Sequence, residues 1–255
     1  MEQINLLVCG VNGAMGKTVV EIAGTMTDVT VVAGFDQQKT ANREFPVYTQ
    51  LNEIRENIDA VIDFSHYSVA KSVAQYCMER KLPLVSATTG IDGETEAYYH
   101  TISKTIPVFR SKNFSYGISV LKKLVKEASK LLADDFDIEV IEAHHNQKAD
   151  APSGTAQMLL DSIADGADRE FEIVYGRYGN QSKRQKNEIT VHAVRGGTIV
   201  GEHSVLFAGE DEIITISHSA LSKKVFASGA LKAMKFIMKK QNGFYSMDDI
   251  TAIES

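Results

Sequence analysis

The strongest constraint on the fold comes from residues 4 to 36. There an apolar run (INLLVCG), a glycine turn (GVNGAMGK), a helical stretch (TVVEIAGTM) and a second apolar run (VTVVAGFD) follow one another directly. Aliphatic and β-branched runs without polar alternation suit strands buried on both faces, as in a parallel sheet covered by helices. The segment therefore reads as a βαβ unit. Gly10, Gly13 and Gly16 permit a tight turn, close backbone approach to a pyrophosphate and close helix packing. Asp36 ends the second strand, twenty residues beyond Gly16, where its carboxylate can accept ribose hydroxyls. The spacing is GxxGxxG, with Asn12 where the commoner fingerprint has its second glycine. A glycine trio alone marks no more than a tight turn; between two strands and ending in an acid, it points to a dinucleotide site.

The alternation continues. A helix near 50 to 57, the strand 59 to 65, the helix 69 to 81, the strand 82 to 90, a helix near 93 to 104 and the strand 106 to 110 are expected in that order. Such a series implies a parallel sheet with right-handed crossovers, binding ligands at the carboxyl ends of its strands. Phe64 and Ser65, then Ala87, Thr88 and Thr89, and finally the SKNFSYG loop with Asn113, Ser115 and Gly117 fall at such ends. Taken singly they are ordinary turn residues.

After a helix at about 117 to 132 the rhythm changes. Strands at 171 to 175, 188 to 195, 199 to 207 and 210 to 218 follow without intervening helices, which suggests an α+β region with a mixed, largely antiparallel sheet. The polar stretch 176 to 187 reads as a solvated loop, or as one whose Arg177, Lys183 and Arg184 close over an anionic substrate. From Lys223 the pattern is helical again, with Met234 and Met238 as core positions, and this helix and FYSMDDI are expected to return to the first region.

The richest chemistry lies in residues 138 to 158, IEVIEAHHNQKADAPSGTAQM. Ile138, Val140 and Ile141 read as a buried strand that gives way to Glu142, His144 and His145. Ser153 reads as the N-cap of a helix with Gly154 and Thr155 in its first turn, a place that attracts carboxylates and phosphates. Two imidazoles, the ammonium of Lys148 and this helix start are what proton transfer to an anionic substrate needs. Paired histidines are also found in structural roles, and on a regular strand His144 and His145 face opposite ways. With Glu142 or Asp150 they could instead bind zinc, but adjacent histidines lack the one-face geometry of i, i+4 spacing, so no metal is expected.

Composition excludes several classes. Lys plus Arg number 27 against 33 for Asp plus Glu, a net charge of -6, so no basic field recruits nucleic acid or an anionic membrane. The two cysteines, Cys9 in a predicted strand and Cys77 in a predicted helix, give no disulfide framework and suit a reducing compartment. With no leader-like start and no run of membrane-spanning length, the chain is read as cytosolic.

Taken together the motifs GVNGAMG, VIDFS, ATTG, KNFSYG, EAHHNQKADAPSGTA, VHAVRGGTIVGEHSVLFAG and FASGALKA, in that order, resemble the 4-hydroxy-tetrahydrodipicolinate (dihydrodipicolinate) reductase family of lysine and diaminopimelate synthesis over nearly the whole chain. The resemblance implies a Rossmann-type doubly wound nucleotide-binding domain (1 to 116 with 221 to 255) and a substrate domain (117 to 220) that assembles a homotetramer. It implies nucleotide contacts at Gly10, Val11, Asn12, Gly13, Ala14, Met15, Asp36, Ala87, Thr88, Thr89, Ser111, Lys112, Asn113 and Phe114. It also implies catalytic roles for His144 and Lys148, and contacts from His145, Ser153, Gly154 and Thr155 to a cyclic dicarboxylate.

The chain departs from the family where arginines often stand near the adenosine: it has Asn12, Ala14 and, after Asp36, Gln37. That favours NADH over NADPH, although Lys39 or Lys17 could reach a 2′-phosphate and both cofactors stay in view. Ala87, where the family usually has glycine, slightly crowds the nicotinamide side. Rival readings are another NAD(P)-dependent oxidoreductase of a small amino dicarboxylate, a nonenzymatic NAD-sensing module, and a metal hydrolase built on His144, His145 and Asp150.

Overall fold

The computed structural model describes residues 3–39 and 43–252, and the chain divides into two compact units, Met1–Tyr116 with Lys224–Ser255, and Gly117–Lys223. The first unit contains β1 (Ile4–Cys9), α1 (Ala14–Ala23), β2 (Val29–Phe35), β3 (Val47–Tyr48), β4 (Ala60–Asp63), α2 (Tyr67–Arg80), β5 (Leu84–Ser86), α3 (Gly93–Ile102) and β6 (Pro107–Arg110). The second contributes α4 (Tyr116–Leu132), β7 (Asp137–His144), α5 (Gly154–Ala167), β8 (Glu172–Tyr175), β9 (Glu188–Arg195), β10 (Gly201–Ala208) and β11 (Ile213–Ala220). The chain then returns to the first unit as α6 (Lys224–Ile237), β12 (Gly243–Tyr245) and α7 (Met247–Ile250).

Every pairing in the first sheet is parallel, in the order β12-β6-β5-β4-β1-β2-β3. Alternation along β1 explains the layering: Leu6 and Val8 face a core shared with Val19 of α1 and Ala230 and Met234 of α6, whereas Leu7 and Cys9 face Val73 and Cys77 of α2 and Tyr99 of α3. Burying each such aliphatic side chain contributes about 1.5–3 kcal/mol. The strand order reverses between β1 and β4, and that switch point opens a crevice at the carboxyl edge. Two glycines make it possible. Gly10 has φ +72°, and a Cβ on it would stand 2.4 Å from the Phe64 carbonyl oxygen; one on Gly16 would stand 2.1 Å from the Gly10 carbonyl oxygen.

Two expectations for this unit need correction. The helix near 50 to 57 is only a 3-10 turn, Leu51–Glu53. The backbone turns extended at Ile54 (ψ 124°), which is fully buried, and Arg80 of α2 donates to its carbonyl. Core burial thus overrides helical spacing here. The fifth strand also stops at Ser86, leaving Ala87 to Thr89 in a loop whose first N–H is taken by the Asp63 carbonyl.

In the second unit the sheet order is β11-β10-β7-β9-β8. The two ladders of β10 are antiparallel, but β9 runs parallel to both β7 and β8, so parallel pairing has a larger share than the sequence suggested. Parallel neighbours need a long return connection, and the polar stretch 176 to 187 is that return. Most of it, Lys183 included, is exposed as a solvated loop would be, but its two arginines are anchored to the sheet. Arg177 donates to Glu188 and Thr190 at 2.6 and 2.7 Å, and Arg184 donates to Asp137 and the Glu188 carbonyl at 2.6 Å each. Ile118, Leu121 and Val125 of α4 and Leu159 and Ile163 of α5 cover one face, where Ile138, Val140, Val205 and Phe207 point.

Candidate active site

Alternation along β7 turns Ile138, Val140, Glu142 and His144 inward, so Ile141, expected to be buried, is instead exposed, and its place is taken by a carboxylate with no solvent exposure. A buried carboxylate is costly unless its acceptor sites are filled, and here they are. Glu142 Oε2 lies 2.6 Å from His144 Nδ1 and accepts from Arg195 Nη1 at 2.8 Å. Oε1 accepts from the Ser153 backbone N–H at 3.0 Å and from Arg195 Nη2 at 2.7 Å. Burial acts to raise the Glu142 pKa, but Arg195, His144 and Ser153 together outweigh it and hold the carboxyl below its ordinary range.

Sheet register assembles this cluster. Arg195 at the end of β9 pairs with His144 on β7, and His203 on β10 pairs with Glu142. The Gly196–Gly197 turn then holds the histidine loop, since Gly196 N–H donates to the His144 carbonyl at 2.9 Å and Asn146 N–H to the Gly197 carbonyl at 3.2 Å. His203, only 4% exposed, stands 3.1 Å from the Ser153 hydroxyl, and its ring lies 5.1 Å from that of His144. Burial first, then the neighbouring His144, push its pKa down to about 4. His203 is therefore a neutral imidazole at pH 7.

Ser153 caps α5 as expected, accepting the Ala156 N–H at 3.2 Å. A Cβ at Gly154 would meet nothing within 4 Å, so this helix start is open on that side beside Thr155. Lys148 is mostly buried and ion-paired with Asp150 at 2.8 Å, which holds the Asp150 pKa below its ordinary value. His145 is half-buried just past the end of β7. Of the carboxylates the zinc alternative called on, Glu142 has its acceptor sites filled and Asp150 is ion-paired with Lys148. Among the described residues no group of three His, Cys, Asp or Glu could hold a metal ion.

In the first unit the expected nucleotide residues gather along the carboxyl edge of the sheet. A cleft of about 200 Å³ is lined by Gly10, Gly13, Asp36, Gln37, Ser65 and His66, among others. Asp36 Oδ2 accepts the Asn12 N–H at 2.9 Å, tying the glycine turn to the end of β2. Val11 and Phe114 are buried in the core, so only their backbone can meet a ligand, while Ala14, Thr89 and Lys112 are exposed. Ser111 Oγ donates to the Asn113 carbonyl at 2.8 Å, and Asn113 Oδ1 accepts the Ser115 N–H at 2.7 Å, which shapes that loop from within. Met15 packs against the core from the first turn of α1. A glycine-lined crevice at a helix start, ending in a carboxylate, fits a dinucleotide.

Four residues escaped the sequence reading. Arg195, Gly201 and His203 complete the histidine cluster, and Asp63, fully buried, joins two strand-end loops by accepting from the Ser65 N–H at 2.9 Å and the Thr88 hydroxyl at 3.1 Å. Burial raises the pKa of Asp63, opposed by its Ser65, Thr88 and Arg110 contacts. The signal for Arg195 and His203 was present in VRGGTIVGEH, but only strand register reveals whom they meet.

A dinucleotide-binding doubly wound unit joined to a mixed-sheet unit carrying a carboxylate-held histidine beside an anion-attracting helix start defines an NAD(P)H-dependent oxidoreductase. Comparison with known proteins specifies which. The family models for the N-terminus and C-terminus of dihydrodipicolinate reductase match residues 4–114 and 117–251. The chain belongs to the dihydrodipicolinate reductase family, whose role is in lysine and diaminopimelate biosynthesis. It is 51% identical over 247 residues to the 4-hydroxy-tetrahydrodipicolinate reductase of Caldanaerobacter subterraneus subsp. tengcongensis, covering 97% of this chain and 98% of that protein. To the enzyme of the same name from Clostridium tetani it is 48% identical over 245 residues, covering 96% of each. Its fold matches that of a dipicolinate-bound dihydrodipicolinate reductase from Paenisporosarcina sp. TG-14, with TM-score 0.80, 22% identity and coverage of 97% and 99%.

Proposed function

We propose that the chain reduces 4-hydroxy-tetrahydrodipicolinate to tetrahydrodipicolinate, with His144 and Lys148 as its proton-handling residues and the start of α5 as its carboxylate site. The observation that carries this reading is the junction of His144 with that helix start through Glu142. Ser153, Gly154 and Thr155 offer first-turn N–H groups and a helix dipole to one carboxylate of a cyclic dicarboxylate, and His145 steadies its polar groups. When bound, the reduced nicotinamide supplies the hydride. The 4-hydroxyl and a hydrogen of the neighbouring ring carbon leave together as water to give the conjugated imine; as hydride adds to it, Lys148 or His144 supplies the one matching proton, neutralising charge that develops on the ring.

On the nucleotide side, Gly10 through Met15 cradle the pyrophosphate and Asp36 accepts the ribose hydroxyls. The loops Ala87 to Thr89 and Ser111 to Phe114 complete the site. Asp36, followed by Gln37, favours NADH. Arg43, which donates to the Val11 carbonyl at 3.0 Å, places a cation at the same turn, so NADPH is accepted as well. The enzyme works in the cytoplasm as a homotetramer assembled through the second unit's sheet. The apolar edge strand β11, with Ile213 64% and Ile214 39% exposed, supports that assembly, and light scattering tests it.

The deciding experiment follows loss of reduced-nicotinamide absorbance with NADH and NADPH in parallel, the substrate being generated in place from pyruvate and aspartate semialdehyde by the preceding synthase. Oxidation requiring every component is expected, faster with NADH. Nucleotide binding without oxidation would return the chain to the sensing module.

A further inference from the structure

Glu142 does more than neutralise Arg195. An ionised carboxylate only accepts hydrogen bonds and offers about four lone-pair sites. All are used here, by His144 Nδ1, the Ser153 N–H and two guanidinium nitrogens of Arg195. Arg195 is itself fixed by donating to the Asp150 and Val194 carbonyls at 2.6 and 2.7 Å. It cannot lose its proton under any ordinary condition, which keeps its partner ionised. Beside an ionised Oε2 at 2.6 Å, His144 Nδ1 must carry hydrogen. Its other nitrogen, Nε2, lies over Gly201, where a Cβ would come within 3.1 Å, and the missing side chain leaves that nitrogen room.

We propose that Glu142 is a positioning residue that fixes His144 as the Nδ1–H tautomer, makes Nε2 the atom that gives and takes the catalytic proton, and ties that atom to the helix start that holds the substrate carboxylate. The tie is direct, because Oε2 holds the imidazole and Oε1 holds Ser153 N–H, the residue that caps α5. Neither group can shift without straining the same carboxylate. Three distant segments, β7, the end of β9 and the start of α5, thereby set one proton-transfer geometry. Outer-shell carboxylates orient histidines in the same way in other enzymes, and exchanging one for its amide leaves the geometry intact but selects the wrong tautomer.

The test uses the full-length enzyme labelled with 15N-histidine. Two-bond nitrogen–proton correlation distinguishes the two neutral tautomers, and steady-state kinetics runs alongside. Wild-type His144 is expected to carry its proton on Nδ1. In Glu142→Gln the amide NH2 competes for one of the four positions, so the Nε2–H tautomer should appear and kcat fall by on the order of 10²–10⁴-fold. The reduced-nucleotide dissociation constant should stay within about twofold, since every Glu142 contact described above lies in the second unit. Glu142→Asp, which keeps the charge, should retain the Nδ1–H form with a smaller loss of kcat. A wild-type spectrum showing Nε2–H overturns the proposal even if neither variant folds, as does a folded Glu142→Gln with unaltered tautomer and kcat. The proposal rests on His144 moving the proton. If that reading is wrong, His144→Gln keeps its turnover while the wild-type tautomer remains Nδ1–H, so the two failures are distinguishable.

Discussion

Protonating His203 should cost the fold more than protonating any exposed histidine, and the structure sets both the size and the pH window. Its ring is 4% exposed, between Glu142 on β7 and His218 on β11 in strand register, and its Nδ1 has no hydrogen-bond partner among the described residues. Burial and His144 lower its pKa from 6.5 to about 4 in the fold, whereas the unfolded chain takes the proton at the ordinary value. Above pH 6.5 neither state binds this proton and the contribution is fully present. As the pH falls toward 4, the unfolded chain gains a proton that the folded chain refuses, and stability drops by up to about 1.4 kcal/mol per pH unit, about 3 kcal/mol in all. That is a sizeable part of the roughly 5–15 kcal/mol that holds a typical domain. The assay is urea unfolding at pH 7 and pH 4.5, for the wild type and for His203→Gln, whose amide can still meet the Ser153 hydroxyl. The wild type should lose about 2–3 kcal/mol more than the variant between the two pH values, with similar denaturant slopes. Glu142, whose pKa is lowered, stabilises the fold above its ordinary value of 4.5 and withdraws that help only as the pH falls below it, so the chosen floor keeps it out. Equal losses in the two proteins would refute a buried neutral His203.

Lys148→Ala should lower turnover about a hundredfold or more while sparing nucleotide affinity; an unaltered kcat would remove Lys148 from the chemistry. Asp36→Ala should weaken NADH more than NADPH, because the carboxylate that accepts ribose hydroxyls repels a 2′-phosphate, and equal loss in paired binding titrations would contradict that role. Gly201→Ala puts a methyl 3.1 Å from His144 Nε2, presses on a ring that Glu142 already holds, and should cut kcat about tenfold, equivalent to about 1.4 kcal/mol of barrier; full activity in the folded variant would mean that this nitrogen does not take part in the reaction.

What could be read from the sequence was what acts locally. The glycine turn, Asp36 and the Ser153 cap each depend on neighbours within one turn or one βαβ unit, and the local order and spacing of residues carry that information. The Glu142–Arg195 and Ser153–His203 contacts join residues 53 and 50 positions apart, and only the β7–β9 and β7–β10 registers decide them. Ile141 shows the cost of reading an apolar run without knowing its faces: period-two geometry sent it outward and brought Glu142 in. The polar stretch 176 to 187 hid its purpose for a similar reason, since a return crossover and a solvated loop share one composition. At Ile54 the local pattern was helical, and the demand of the core for that side chain won.

The return of the chain to its first unit sets a timetable for folding during synthesis. The N-terminal part emerges with a sheet that still lacks β12 and a core that still lacks Ala230, Leu231 and Met234 of α6, all of which pack with Leu6 and Val8. The second unit must be translated before those residues exist. At about 5–20 residues per second that is a wait of roughly 5–20 s, far longer than helices and hairpins need to form. On the ribosome the middle of this protein therefore has every piece it needs before the beginning does, and the nascent nucleotide-binding sheet spends that interval with the part of one apolar face that α1 does not cover open to chaperones.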